Sequence, residues 1–419
     1  MAKVLLIQPK THGRSTVRPL GLGYLASALS AGGHVVSIFD NDLYGHTSGD
    51  IRDSVALARP DIVGITTNIL NQWEARDIGR AVSGVCSSVV YGGPQATLDP
   101  ASFLVSPVCQ VIPGEAEETF VRFVDTGAYT PGGLQKNLDA IPFANMDLFE
   151  WQRYRWTLDG RACTNMIASR GCPLKCIYCY HQMNAVFRQR TVGNVLMEMR
   201  LLRDHYGFGA IKFFDDTFTM RRRWVEEFCR ALLTERIGMV WQCIAVSRTV
   251  DADLIRVMAE AGCRQISFGI ESGSQKSLDL MGKNTTIEQN RKALLACKRA
   301  GVRTKAYLII GLPWETADDI AATRQFVAEV RPDYVQVFFA TPFPNTDLER
   351  LVEAGGYEID REALVGARDF NIPLFETEHF SKSDLLGWRL EIMDIHRRYV
   401  QRITPGRLWQ KLRASTRKW

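Results

Sequence analysis

Three thiols crowd the run RGCPLKCIYCY at positions 170–180, where Cys172, Cys176 and Cys179 stand in a C-x3-C-x2-C spacing. A glycine precedes the first and tyrosines flank the last. A cubane [4Fe–4S] cluster ordinarily takes four cysteines, so a tight loop supplying three leaves one iron open to a non-protein ligand. Two other readings stand beside it, a zinc knuckle and three unrelated core cysteines. Zinc needs a fourth ligand at knuckle-like spacing. His181 lies too close behind Cys179 to close a familiar one.

Further candidates sit at the ends of apolar runs. FFDDTFT carries Asp215 and Asp216, GIESGS carries Glu271, Ser272 and Ser274, and LIIGLPWET carries Ile309 and Gly311. Adjacent carboxylates point to opposite faces if the strand continues, so one of the aspartates can face inward while the other caps the next helix. Arg248 follows another apolar run, and a guanidinium fork suits a carboxylate ligand. As bare strings, GIESGS reads equally as a strand-to-helix turn and PFPNT as an architectural turn. Tyr180 and His181, directly behind the cysteine loop, are substrate-side candidates together with Asp216. A histidine at this place can move protons at neutral pH, or simply bond nearby backbone. Cys163, Cys229, Cys243, Cys263 and Cys297 show no ligand spacing and read as buried thiols.

The elements that must hold these residues alternate. Between residues 162 and 346 six apolar runs, from ACTNMIAS to DYVQVFFA, are each followed by a helical pattern. Six βα units are too few for a closed eightfold barrel, in which chemistry gathers at the carboxyl ends of the strands. Residues 1–127 alternate in the same way through AKVLLIQ, HVVSIFD, DIVGITTN and SSVVYGG, which predicts a doubly wound parallel Rossmann-like sheet. Its ligand crevice belongs at the strand ends. The residues there are Thr66, Thr67, Asn68, Gly92, Gly93, Pro94, Gln95, Gly114 and Glu115. Residues 128–161 read as a linker, and 347–419 as a helical region with a basic tail.

The 419 residues are 46% hydrophobic and 23% charged, enough for two or three cores. No apolar run approaches the roughly 20 residues of a membrane span, and MAKVLLIQPK lacks the pattern of a secretory signal. Ten scattered and loop-bound cysteines fit reduced thiols in a cytoplasmic protein better than a disulfide framework. Much of the net charge of +5 lies in the last 23 residues, which hold eight basic side chains interleaved with Tyr399, Trp409 and Trp419. A solvated tail is the plain reading of that run, and nucleic acid is not the expected partner.

The cysteine loop followed by FFDDTFT, GIESGS, LIIGLPWET and PFPNT resembles the radical S-adenosylmethionine (radical SAM) superfamily, which uses a partial (β/α)6 barrel. Trp314 and Asn345 replace glycines common in the last two motifs. PLGLGYLASALSAGGHVVSIFD, PDIVGITTN, VVYGGPQAT and VIPGEAEETF resemble the cobalamin-binding domains that precede many such barrels. The D-x-H-x-x-G signature of histidine-ligated cobalamin proteins is absent, as it commonly is in the radical SAM relatives. The resemblance implies a [4Fe–4S] cluster on Cys172, Cys176 and Cys179, S-adenosylmethionine on the open iron, and cobalamin on the N-terminal sheet. It also assigns roles: Tyr178 and Ile309 beside the adenine, Asp215 or Asp216 at the S-adenosylmethionine amino group or the substrate, and Arg248 at its carboxylate. Glu271 would meet the ribose, Ser272 would offer a nearby polar contact, and Gly311 would permit close approach. The implied activity is reductive cleavage to a 5′-deoxyadenosyl radical that abstracts hydrogen from a small-molecule substrate, with methylcobalamin donating a methyl group and flavodoxin or ferredoxin donating electrons. Without cobalamin the same radical would drive dehydration, epimerisation, cyclisation or oxidation. A methylthiotransferase carries further N-terminal cluster cysteines, where this chain has only Cys86 and Cys109. A non-catalytic corrinoid-binding protein has no use for the three-cysteine loop.

Overall fold

The computed structural model describes residues 1–11, 17–180, 185–366 and 371–403. His181, Trp409 and Trp419 lie outside them. The chain divides into two compact units, Met1–Trp156 and Thr157–Trp419.

In the first unit β1 (Lys3–Gln8), β2 (Val35–Asp40), β3 (Ile62–Thr66), β4 (Val89–Gly92) and β5 (Cys109–Val111) form a parallel sheet of order β2-β1-β3-β4-β5. The central strands are mostly apolar because helices cover both faces. On one face Leu22, Ala26 and Leu29 of helix Leu20–Ala31 pack with Phe120 and Phe123 against Val4, Leu6 and Val90. On the other, Ile51 and Val55 of helix Ser48–Ala58 and Ile78 of helix Gln72–Val82 bury Ile7, Val63 and Tyr91. Strand order reverses between β1 and β3, which places the crevice beyond the carboxyl ends of those strands.

Residues 128–156, read from sequence as part of a linker, pack within this unit as short turns. Asn145 N–H donates to Ser27 Oγ at 2.8 Å, and the Tyr154 hydroxyl donates to Asp40 at 2.6 Å. Gly23 is needed here, since a Cβ would stand 2.9 Å from that of Ala144.

The second unit contains β6 (Thr157–Leu158), β7 (Arg161–Met166), β8 (Ser169–Arg170), β9 (Arg188–Gln189), β10 (Ala210–Phe213), β11 (Val240–Ala245), β12 (Cys263–Glu271), β13 (Arg303–Ile310) and β14 (Tyr334–Phe339). Its main sheet runs β14-β13-β12-β11-β10-β7-β6; all neighbours are parallel except β6, which turns back on β7. The sheet curls as a partial barrel. Its convex face is sealed by an aromatic layer in which Phe213, Phe218, Phe228 and Trp241 are fully buried, with ring centroids 4.6–5.9 Å apart. Side-chain caps from Thr191, Asp251, Ser274, Thr286 and Thr346 start the covering helices. Helix Lys382–Ile403 packs on β14 and on helix Ala317–Val330. Tyr399 at its end receives a hydrogen bond from Lys298 at 3.4 Å. Among the described residues no helix is long and apolar enough to cross a membrane.

Candidate cluster and cofactor site

The cysteine loop leaves β8 and returns through β9, an antiparallel pair that closes its base. Gly171 opens it with φ +86°, a conformation that glycine adopts without strain. Within the loop Cys179 N–H donates to the Cys176 carbonyl at 3.0 Å, a local turn that brings these two thiols round. The far side is tied to the barrel: Ile177 N–H donates to the Met281 carbonyl at 3.1 Å, and the Ile177 carbonyl accepts from Leu348 N–H at 3.0 Å. Leu348 lies two residues beyond the PFPNT turn, which gives that motif its architectural part.

Cys176 is buried, while Cys172 and Cys179 are half-buried. Burial pushes the Cys172 and Cys176 thiols up, opposed at Cys176 by the Lys283 and Arg248 charges. Metal binding here must therefore release protons. Among the described residues no three His, Cys, Asp or Glu gather around one point as a single ion would require. A cubane makes no such demand, because each thiolate binds its own iron. Three thiols beside two cations, with no fourth ligand gathered with them among the described residues, fit a cluster with one open corner.

Lys283 is the residue that sequence reading missed. Its Nζ donates to Glu271 Oε1 at 2.6 Å and to the Tyr178 hydroxyl at 3.2 Å, with both members of the ion pair buried. Burial disfavours the ammonium, yet Glu271 and Cys176 together hold it above its ordinary value. Burial also pushes the Tyr178 phenol well up, with Glu271 adding to the effect. Glu271 ends β12 with φ +62°, an uncommon conformation for a residue with a side chain. A lone lysine two residues after Met281 carries no motif, so nothing in the sequence distinguishes it from a surface charge.

The structure separates Asp215 from Asp216. Asp215 is fully enclosed, accepting from Ala168 N–H at 3.1 Å and from the Ser169 hydroxyl, so it braces β8 at the foot of the loop. Burial raises its carboxyl to about 7. These contacts hold the Asp215 side chain; the expectation from sequence set Asp215 or Asp216 at the S-adenosylmethionine amino group or the substrate. Asp216 is half-exposed, and its charge reaches Cys172.

Ser272 is fully buried, and its hydroxyl lies 3.2 Å from that of Thr323, so it joins the end of β12 to helix Ala317–Val330. Ser247 reaches Asn290 Oδ1 at 2.5 Å and leaves the neighbouring Arg248 exposed. Gly311 has φ +84°, but the space a Cβ would enter is filled by Leu385 at 2.9 Å. Its close approach is to a helix. Its N–H is held by Glu315 at 2.8 Å, and Leu312 N–H by the same carboxylate at 3.1 Å. Glu315 is fully buried and raised by that burial to about 7. Trp314, in place of a glycine, donates to Ser277 at 3.3 Å. Ile309 is half-buried. Tyr180 stacks edge-on against Phe343 with ring centroids 5.3 Å apart.

In the first unit the loops after β3, β4 and β5 interlock. Thr67 is buried; its hydroxyl donates to the Gly92 carbonyl at 2.9 Å and accepts from Ala96 N–H at 2.8 Å. Gly93, at φ +93°, lies so close that a Cβ would stand 2.5 Å from the Thr67 carbonyl. Asn68 Oδ1 accepts from Leu70 N–H at 2.9 Å, and Gly114 N–H donates to Thr97 at 2.9 Å. Pro94 begins the short helix that buries Gln95, Thr66 is half-buried, and Glu115 accepts from Gln135 N–H at 2.9 Å. Thr67, Asn68 and Gly93 are thus occupied in shaping the crevice edge.

A family model of the radical SAM superfamily matches residues 166–327, and one of the B12 binding domain matches residues 11–124. The chain is similar to an uncharacterized methyltransferase from Pyrococcus horikoshii, 31% identical over 379 residues, covering 83% of this chain and 82% of the other. It is similar also to an anaerobic magnesium-protoporphyrin IX monomethyl ester cyclase from Rubrivivax gelatinosus, 26% identical over 436 residues, covering 95% and 77%. Among solved structures, that of the radical SAM methyltransferase TsrM from Kitasatospora setae, with cobalamin and a [4Fe–4S] cluster bound, aligns with a TM-score of 0.71. That likeness, over 85% of this chain and 76% of the other at 17% identity, is one of fold. The chain belongs to the radical SAM superfamily, in the group that carries an N-terminal B12 binding domain.

Proposed function

We propose that this chain is a cobalamin-dependent radical SAM methyltransferase that acts on an unactivated carbon of a small molecule. The observation that supports the reading best is the buried Lys283–Glu271 pair set against a three-thiol loop, in a chain whose other unit is a B12-binding sheet. When bound, the cluster with S-adenosylmethionine supplies a 5′-deoxyadenosyl radical, and cobalamin supplies a transferable methyl group.

The chain's own groups position and insulate. Cys172, Cys176 and Cys179 would hold three irons and leave the fourth for the amino and carboxylate ends of S-adenosylmethionine. Lys283 and Arg248 offset negative charge at the thiolates. Glu271, fixed by Lys283, presents its remaining oxygen to ribose hydroxyls, and Tyr178 keeps its proton. Asp215 holds the foot of the loop, which leaves Asp216 and Tyr180 on the substrate side. In the first unit the Gly92 to Gln95 loop, with Thr66 and Glu115, would border the corrin. A flavodoxin or ferredoxin would deliver the electron.

A second reading, radical cyclisation or oxidation without methyl transfer, draws on the similarity to the Rubrivivax cyclase. One experiment separates the two. The full chain is reconstituted anaerobically with iron, sulfide and hydroxocobalamin, desalted, and given reductant and methyl-labelled S-adenosylmethionine. Methyl transfer requires retained cobalamin carrying label, together with 5′-deoxyadenosine. Folded protein that forms 5′-deoxyadenosine but keeps no cobalamin overturns the methyltransferase reading in favour of the second. Failure to form 5′-deoxyadenosine overturns both.

A further inference from the structure

The turn that carries Lys283 is pressed against the cysteine loop at three points. It leaves helix Gln275–Leu280 with Lys283 N–H donating back to the Leu278 carbonyl at 3.1 Å. Gly282, at φ +66°, comes so near the loop that a Cβ would stand 3.0 Å from the Lys175 carbonyl. The Met281 carbonyl accepts from Ile177 N–H at 3.1 Å, and Lys283 Nζ donates to the Tyr178 hydroxyl at 3.2 Å. Lys175, Ile177 and Tyr178 flank Cys176 in the chain, so these contacts fix the ammonium against the stretch that holds that thiol.

Charge here is poorly screened. Lys283 and Glu271 are each 6% exposed, and their 2.6 Å bond is out of reach of bulk water. Burial works against the ammonium, and Glu271, Cys176 and Cys179 hold it above its ordinary value. At Cys176 the Lys283 charge is the foremost influence opposing burial, and Glu271 works more weakly the other way. The pair is neutral as a whole, yet it acts on the loop as a dipole with its positive end foremost. An electron entering an iron–sulfur cluster adds one negative charge and needs no bond broken and no proton moved, and nearby charge and exposure set the potential at which it enters. A buried cation favours the reduced state, and a buried carboxylate the oxidised one.

We propose that Lys283 sets the reduction potential of the cluster: its ammonium, fixed against the Cys176 stretch, stabilises the cluster once the electron is on it, and Glu271 limits the effect. The role rests on Cys172, Cys176 and Cys179 holding the cluster. It concerns the entry of the electron, and it fixes how strong a reductant a flavodoxin- or ferredoxin-type donor must be.

The test is a reductive titration of the full protein, reconstituted anaerobically with iron and sulfide and without S-adenosylmethionine, followed by electron paramagnetic resonance of the reduced cluster at poised potentials. At the wild-type midpoint the ratio of reduced to oxidised cluster in Lys283→Met should be about tenfold lower, a shift of about 59 mV for one electron. Glu271→Gln leaves the cation unopposed and should move the ratio the other way. The double variant Lys283→Met with Glu271→Gln buries no lone charge and should also fall below wild type, so it carries the test where the single lysine variant does not fold. Iron and sulfide content and circular dichroism confirm which variants are folded and loaded. Loaded variants that titrate together with wild type, or a Glu271→Gln midpoint that falls as the lysine variants do, overturn the tuning role alone. A wild type that takes up no iron and sulfide overturns the cluster assignment, and the tuning role with it.

Discussion

Lys283 Nζ meets Glu271 Oε1 at 2.6 Å in the space that Gly269, two residues earlier on the same strand, leaves open. A Cβ at position 269 would stand 2.3 Å from that oxygen and 2.7 Å from the ammonium. The glycine of GIESGS therefore admits an ion pair formed with a lysine outside the motif.

Removing either side of this arrangement should be felt. Lys283→Met leaves a carboxylate buried without its cation, which costs about 3–5 kcal/mol in comparable sites. Gly269→Ala displaces both side-chain ends and keeps the charges. Lys283→Met should melt at a clearly lower temperature, whereas Gly269→Ala should mainly weaken S-adenosylmethionine binding in the reconstituted protein. Equilibrium dialysis with wild-type affinity in Gly269→Ala would refute the placement of Glu271 at the ribose.

Cys172→Ala, Cys176→Ala and Cys179→Ala should each abolish reductive cleavage of S-adenosylmethionine, since two thiolates cannot hold a cubane with one open corner. Cys229, on helix Arg222–Thr234, is fully buried and lies outside the three-cysteine spacing. Its replacement by alanine should cost about 1 kcal/mol of packing and leave the iron content intact. Chromatographic assay of 5′-deoxyadenosine decides, and wild-type yield in any loop variant would remove the cluster assignment.

The two adjacent aspartates should behave differently. Asp215→Ala frees Ala168 N–H and the Ser169 hydroxyl, so β8 loosens and iron loading falls. Asp216→Ala should load iron normally and lose turnover. Iron and sulfide analysis of the two proteins, purified side by side, checks this; equal loading would show that Asp215 does not brace the loop.

Glu315 predicts a pH dependence whose sign is fixed by its burial. Its carboxyl rises from an ordinary 4.5 to about 7 in the folded chain. Between those values the folded chain holds a proton that the unfolded chain has released, so this group's contribution to stability declines as pH rises through the window. Glu315→Gln cannot titrate. The melting temperature of the variant relative to wild type should therefore climb from about pH 4.5 to 7 and level off beyond. A difference that stays constant across the window would refute the raised carboxyl.

Gly93 is a structural residue before it is a binding one. With φ +93° and the Thr67 carbonyl 2.5 Å from where a Cβ would stand, Gly93→Ala should destabilise the first unit, and Gly93→Trp more so. Thermal melting followed by circular dichroism checks it. Wild-type melting of Gly93→Trp, with cobalamin lost, would instead put the glycine at the corrin face.

Much of the architecture could be read along the chain, because its causes are local. The C-x3-C-x2-C spacing needs only one loop, and alternating apolar runs in both halves predict parallel sheets because a crossover helix must follow each strand. What the tertiary structure alone decided concerns pairs that meet across elements. Sequence could not tell Asp215 from Asp216, since the choice depends on where Ala168 and Ser169 present their donors. Nor could it show that Thr323 and Leu385, on later helices, pack beside Ser272 and Gly311. Lys283 and Glu315 carried no signal of their own, because a lysine or glutamate is ordinarily a surface charge until folding removes it from water and supplies a partner. Spacing determined what the cysteines are for; packing determined which neighbouring charges serve them.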